Sequence, residues 1–292
     1  GVTLCGSCHI KAEETTLSVE ELRDKAGITK IILPEHLYRD QIYDKWGNPI
    51  MPDGKRLMGE LFEDESVQKI LKQGKVLDDF TYYIKYPRTY HMPNSTGTKD
   101  DKTLENDSQF HNEEVVVTLK MDGENTSGYY DHIHARSIDS GSHESRDWVK
   151  GLWAQKGWQL SPGMRVCGEN LYARHSVHYE NLSTYFMVFS IWDKLKCLSW
   201  DETLEYCQLL DLETVPVIYR GVYDLKKIEK AFDPYKKENE GYVIRLAGEF
   251  SYGNFRKSVA KNVLPEFRQL INNSHGHWIS KKIIPNKLNE KI

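Results

Sequence analysis

Between residues 115 and 262 the chain consists of short apolar runs of β character set between turns. The clearest are Val115-Val116-Val117-Thr118-Leu119, His132 to Arg136, Arg165 to Glu169, Tyr185 to Trp192 and Gly241 to Leu246, and their length and turn-bounded spacing predict strands. Helical spacing is confined to shorter stretches. Val67, Ile70 and Leu71 predict a helix over Glu65 to Gln73. Ser18, with Glu21 three residues on, marks a helix start near Leu17 to Leu22. Further helical segments are expected around Arg146 to Lys150 and over Asp201 to Leu210, and turns at Asp44 to Pro49 and Met51 to Gly54. This mixture predicts an α+β fold with antiparallel sheets, not a doubly wound parallel sheet.

Residues 94 to 113 are polar, with few apolar groups. They read as a loop or a partly mobile linker, over an active-site entrance or simply on the surface. There is no internal repeat, low-complexity tract, Gly-rich phosphate loop or dinucleotide fingerprint. The 292 residues suffice for one large domain and a smaller one. No stretch approaches the length of a membrane helix and no apolar signal segment opens the chain. Gly1 in place of Met is read as processing or truncation. A net charge of −4 means that any nucleic-acid surface is local. Basic residues cluster late, as Arg256, Lys257 and Lys261, then Lys281, Lys282, Lys287 and Lys291; the last four read as a solvated tail. Five cysteines without a disulfide pattern suit a reducing, cytoplasmic setting.

The first strand delivers a lysine onto a turn, Lys120-Met121-Asp122-Gly123-Glu124-Asn125-Thr126. Lys-x-Asp-Gly alone is short enough to arise by chance. Four further elements follow in order: Cys167-Gly168-Glu169-Asn170, Tyr185-Phe186-Met187-Val188-Phe189, Glu240-Gly241-Tyr242-Val243-Ile244-Arg245, and Phe255-Arg256-Lys257-Ser258-Val259-Ala260-Lys261. The ordered series resembles the motifs of the covalent nucleotidyltransferases (DNA ligases, RNA ligases and mRNA-capping enzymes) and is most similar to stand-alone RNA ligases. The resemblance covers roughly residues 80 to 265. It implies an ATP-grasp-like nucleotidyltransferase domain of two packed antiparallel sheets with flanking helices, the nucleotide lying between the sheets. The expected organisation is an N-terminal region over 1–80, an adenylyltransferase domain over 81–265 and a basic tail over 266–292.

The resemblance also implies roles. Lys120 would be the nucleophile toward the α-phosphate of ATP. A free lysine, with a pKa of about 10.4, is protonated at neutral pH, and neighbouring cations would favour the neutral amine. Asp122 would touch a Mg²⁺ or Mn²⁺ ion or its waters, and Asn125 a phosphate or metal-bound water. Glu169 would contact the ribose or hold a metal-bound water, and Glu240 would be a second carboxylate near the metal. Phe189, or alternatively Phe186, would stack on adenine. Ser190 stands where relatives usually have Asp, and Leu119 where they often have Glu. Lys257 and Lys261, with Arg256 as an alternative, would neutralise phosphates. Arg136 would bind a terminal phosphate. His132 and His134 read as a satisfied pair in preference to metal ligands. Tyr172, Arg174 and His175 are candidates for RNA contact.

The implied activity joins 5′-phosphate and 3′-hydroxyl RNA ends, with or without a bridging template strand. Only about 30 residues follow Lys261. An oligonucleotide-binding barrel, which needs on the order of 70 to 100 residues, is not expected there, and this favours an RNA ligase over a DNA ligase or a capping transferase. A non-catalytic nucleotide- or RNA-end-binding module is the alternative of another class. At the N-terminus, Cys5-Gly6-Ser7-Cys8-His9 reads as ordinary thiols in preference to a truncated HNH or zinc module, a haem site or the mark of a nuclease.

Overall fold

The computed structural model describes residues 2–28, 41–95, 101–232, 239–265, 267 and 282–289. Lys281, Lys291 and residues 96–100 of the polar linker lie outside them. The chain divides into two compact units, Gly1–Ile84 and Lys85–Ile292.

The first unit holds helices α1 (Gly6–Glu13), α2 (Val19–Lys25) and α3 (Glu65–Gln73), and a minimal hairpin of β1 (Ile42–Tyr43) and β2 (Pro49–Ile50). Ser18 and Glu21 form the reciprocal capping box that their spacing predicts. Asp64 caps α3, whose buried Val67 and Leu71 pack with Phe62 and Val76 into a small core. Cys5 precedes the first turn of α1, exposed, and its thiol is drawn down to about 7, chiefly by the Ser7 hydroxyl.

The second unit is built on two sheets. A five-stranded sheet runs β11 (Val217–Val222), β4 (Glu114–Leu119), β12 (Gly241–Leu246), β14 (Val259–Val263) and β3 (Tyr90–His91). A seven-stranded sheet runs β13 (Phe250–Ser251), β9 (Lys196–Cys197), β8 (Phe186–Asp193), β7 (Met164–Asn170), β5 (Glu124–Gly128) and β6 (Ile133–Ala135), with β10 (Glu213–Thr214) also pairing β8. Pairings are antiparallel apart from β14 with β3 and β10 with β8. The α+β class follows.

Alternation along the strands sorts side chains into layers. On β4, Val116 joins Leu171, Met187 and Trp200 in the apolar layer between the sheets. Its neighbours Val115 and Val117 face the other way, onto Phe110, Ile228 and Phe232, the last two at and just beyond helix α6 (Leu225–Ala231). The far face of the larger sheet is covered by α4 (Asp147–Lys156) and α5 (Trp200–Leu209) through Val149, Trp153 and Cys207. The short helix α7 (Phe255–Ser258) leads into β14.

Two stretches that read as solvated are anchored where they are described. In the polar linker, Leu104 donates its N–H to the His91 carbonyl, and Phe110 is completely buried. A few apolar anchors are enough to hold a mostly polar segment. In the tail, Lys282 and Lys287 are exposed as expected, but the backbone between them is docked. Asn286 is 2% exposed. Its side chain accepts from the Tyr179 N–H at 2.9 Å and donates to the Leu171 carbonyl at 2.7 Å, and its own carbonyl accepts from the Tyr185 hydroxyl at 2.9 Å. Asn286→Ala strips two buried backbone groups of their partners, and a loss of about 2–4 kcal/mol is expected. Chemical denaturation checks this; an unchanged midpoint would make the docked segment dispensable.

Candidate functional site

Lys120 follows the last residue of β4, and its backbone N–H donates to the Gly241 carbonyl at 2.9 Å. Pairing of β4 with β12 brings Lys120 beside Glu240, and the ammonium Nζ lies 2.5 Å from Glu240 Oε2. Gly241 fits this junction because a Cβ there would sit 2.0 Å from the Asn262 carbonyl oxygen. Residues 121–123 then cross from the smaller sheet to the larger. Gly123 lies so close to β7 that a Cβ would meet the Asn170 carbonyl oxygen at 2.5 Å. Its N–H donates to Glu169 Oε1 at 3.1 Å. Across β5 and β7, Asn125 pairs in register with Glu169.

Asp122 is buried, and its first task is structural. Its Oδ2 accepts from the N–H groups of Ser176 and Val177, both at 2.7 Å, while its own N–H donates to the Tyr179 hydroxyl at 2.9 Å. Tyr179 is in turn held by Asn286. A chain of buried hydrogen bonds thus runs from the docked C-terminal segment to the lysine loop.

Some of these groups border a cleft of about 290 Å³. Lys120, Asn125, Arg136, Glu169, Phe189 and Lys261 all line it. Phe189 faces the cleft edge-on to Tyr86, with ring centroids 5.1 Å apart. Phe186, three residues earlier and on the opposite face of β8, is buried against Trp153. Lys261 Nζ lies 3.9 Å from Asp101 Oδ1. Lys257 does not line the cleft; it is exposed on α7. Arg256 is likewise exposed and lies over the Tyr90 ring. Tyr172 packs edge-on against Tyr185, and the Arg174 N–H donates to the Ile284 carbonyl. His134 is buried, and burial pushes it down to about 4, so it is neutral at physiological pH.

Several lining residues carried no signal in the sequence. Arg88 and Tyr86 come from an unremarkable stretch ahead of β3, and Asp101 from the polar linker. Arg245 is the last charged residue of the Glu-Gly-Tyr-Val-Ile-Arg strand, which was the one available clue. Buried over the Trp200 and Phe250 rings, it donates to the carbonyls of Phe189 at 3.1 Å and Leu198 at 2.9 Å. It therefore ties β8 to β12 across the two sheets.

Burial works against the charged amine of Lys120, but Glu240, Glu169 and Asp122 outweigh it and hold the ammonium above the ordinary lysine range. Release of the neutral amine would need positive charge brought in beside these carboxylates. Burial pushes Glu169 up to about 8; Lys120 pulls the other way, and Glu240 and Asp122 add to the rise. Burial, then the nearby Arg88, lowers Arg136. Because Glu169 titrates higher in the folded chain than its ordinary 4.5, the native state holds an extra proton between about 4.5 and 8. That contribution favours folding below the window and is lost as pH rises through it. Glu169→Gln is therefore expected to gain stability over the wild type, by up to about 4–5 kcal/mol at the alkaline end and little at the acidic end. Thermal melts across the window check this, and parallel curves would contradict it.

The cleft offers groups that fit a nucleotide and a divalent cation. Asn125 Oδ1 is buried in the cleft wall without a hydrogen-bond partner among the described residues. A ribose hydroxyl, an amine or a metal-bound water would satisfy it. Arg88, Arg136 and Lys261 supply positive charge for phosphates, and Phe189 with Val243 and Val259 supplies an apolar wall. Among the described residues no group of three or more His, Cys, Asp or Glu side chains is arranged to hold a metal by itself. The donor set suits a hard cation held by one or two carboxylates together with phosphate oxygens and water.

The matching family model is that of RNA ligase, over residues 113–263, and the chain belongs to that family. The matched segment begins just before β4 and ends with β14, so it contains Lys120, Glu169, Glu240 and Lys261. Among solved structures, the chain is similar to a mutant of the Naegleria gruberi RNA ligase with ATP and Mn (15% identity, TM-score 0.45, covering 66% of this chain and 60% of that one). It is also similar to the same ligase with PPi (16% identity, TM-score 0.42, covering 66% and 64%). Both matches span less than two-thirds of the Naegleria chain. A sequence comparison with curated proteins found no match. No helix among the described residues is long and apolar enough to cross a membrane.

Proposed function

We propose that the protein is an ATP-dependent RNA ligase that joins 5′-phosphate and 3′-hydroxyl RNA ends. In the first step the Lys120 amine, once deprotonated, forms a P–N bond to the α-phosphorus of ATP as the bond to pyrophosphate breaks. In the second, the 5′-phosphate of an RNA strand displaces Lys120 and takes the AMP. In the third, a 3′-hydroxyl attacks that 5′-phosphorus, loses its proton and expels AMP. The observation that carries this reading is the contact of Glu240 with Lys120, which lines a cleft together with Glu169, the unsatisfied Asn125 and the cations Arg88, Arg136 and Lys261.

Each residue has a task in that scheme. Phe189 offers its ring to adenine, while Asn125 and Glu169 meet the ribose or water bound to the cation. Arg88, Arg136 and Lys261 orient and neutralise phosphates, which is where phosphoryl transfer gains most. Glu240 and Glu169 would hold Mg²⁺ or Mn²⁺, with Asp122 reaching it through water. A bound divalent cation would neutralise charge developing on the phosphates. Compensating the carboxylates around Lys120 with positive charge would also release the amine from its raised pKa.

Intact mass after incubation with ATP and Mg²⁺, with GTP in parallel, tests the proposal. A gain of one AMP with ATP alone supports it. A gain with GTP alone points to capping chemistry. If the protein neither gains a nucleotide nor already carries one, it is a binding module and not a ligase.

A further inference from the structure

A second cleft, of about 480 Å³, lies at the other end of β6 from Arg136. Arg136 follows the last residue of the strand and lines the nucleotide cleft, whereas His132 precedes the first residue and lines the second cleft. At a strand rise of roughly 3.3 Å per residue, the two positions are about 13 Å apart along the backbone. An RNA strand with its terminal phosphate beside Arg136 would cover that distance within a few nucleotides.

Two aromatic rings stand open in this second cleft. Trp158 is 65% exposed and Tyr130 is 55% exposed. Neither ring is spent on packing, yet their supports are rigid. Tyr130 sits in the turn between β5 and β6, and Trp158 in the single turn Gly157–Gln159 after α4. Both turns close around the Trp153 side chain. A Cβ at Gly128 would lie 2.2 Å from the Trp153 ring, and one at Gly157 would lie 2.9 Å from both that ring and the Tyr130 carbonyl oxygen. The Trp153 indole N–H donates to the Tyr129 carbonyl. The Trp158 N–H is satisfied by the Gln155 carbonyl at 2.9 Å, so the ring's orientation is set while its faces stay in water. Lys150 lines the same cleft, with its ammonium 2.9 Å from Ser142 Oγ and 3.1 Å from Asp147 Oδ1. Pre-oriented exposed rings beside a cation are what single-stranded nucleic acid uses for base stacking.

We propose that this cleft is a stacking site for a nucleobase of the RNA strand, a few nucleotides in from the end held at Arg136. The inference rests on the RNA-ligase reading and adds a site for the body of the strand. Trp158→Ala and Tyr130→Ala remove rings that support no core, so folding is not at stake. The test measures binding of a short 5′-phosphorylated oligoribonucleotide by fluorescence anisotropy, alongside AMP attachment, which needs no RNA. Trp158→Ala is expected to weaken RNA binding roughly tenfold, with Trp158→Phe recovering most of the loss. AMP attachment should not change. RNA affinity equal to wild type in both alanine variants would overturn the inference, and the rings would then suit a protein partner. Wild-type protein that takes AMP but binds no RNA would also overturn it, leaving the adenylylation step standing. Loss of RNA binding in the variants, from a wild type that takes no AMP, would support the cleft and remove the ligase.

Discussion

Lys120→Ala protein incubated with ATP and Mg²⁺ is expected to gain no AMP, and RNA sealing to fall by on the order of 10³-fold or more, because the covalent route has lost its nucleophile. Lys120 is in contact with Glu240, and its loop is held from three directions. The Gly241 carbonyl fixes its backbone, the Gly123 N–H binds Glu169, and Asp122 is clasped by Ser176 and Val177. Intact mass reads the result directly, and AMP found on another residue of the variant would move the nucleophile. Because the carboxylates hold Lys120 as an ammonium at neutral pH, the wild-type rate of AMP attachment should climb as pH rises above neutrality. A rate that falls over that range would mean that deprotonation of Lys120 does not limit the step.

Arg146→Ala is expected to destabilise the protein by about 3–5 kcal/mol, the cost of breaking a buried pair and stranding its partner. The guanidinium grips Glu124 with two parallel bonds, Nε to Oε2 at 2.6 Å and Nη2 to Oε1 at 2.6 Å. The two side chains keep only 6% and 11% of their exposure. Arg146 also donates to the Gly141 carbonyl. The pair joins the start of β5, one residue before Asn125, to the turn that opens α4, so the cleft wall should loosen with it. Arg146→Lys should rescue little, since a point charge cannot make the fork. Replacing both partners with leucine should recover much of the loss, because no charge is then left buried. Denaturant titration of the single and double variants checks this; a single variant within a few tenths of a kcal/mol of wild type would show that Glu124 finds water or another donor.

Local features were legible in the sequence because they depend on neighbours a few residues apart. The helix at Glu65–Gln73, the capping box at Ser18 and Glu21, and the strand Gly241–Leu246 appear with the expected bounds or within a residue or two of them. The choice between Phe186 and Phe189 is of another kind. Both lie on one apolar strand, and alternation says only that they face opposite ways; the cleft side is set by which face the second sheet covers.

By itself, then, the sequence determined the α+β class, the strand that delivers Lys120, and the order of the carboxylate and basic elements after it. Only the tertiary structure decided which charges meet. Lys120 and Glu240 are 120 residues apart and touch because β4 pairs with β12. Arg88 and Asp101 reach the cleft from segments with no motif, while Lys257, inside one, stays in solvent. Residues 282–289 dock because Asn286 finds buried backbone partners more than a hundred positions away. Periodicity and capping act over one or two turns of chain, whereas charge pairing and burial depend on distance in space, which is settled only when the two sheets close on each other.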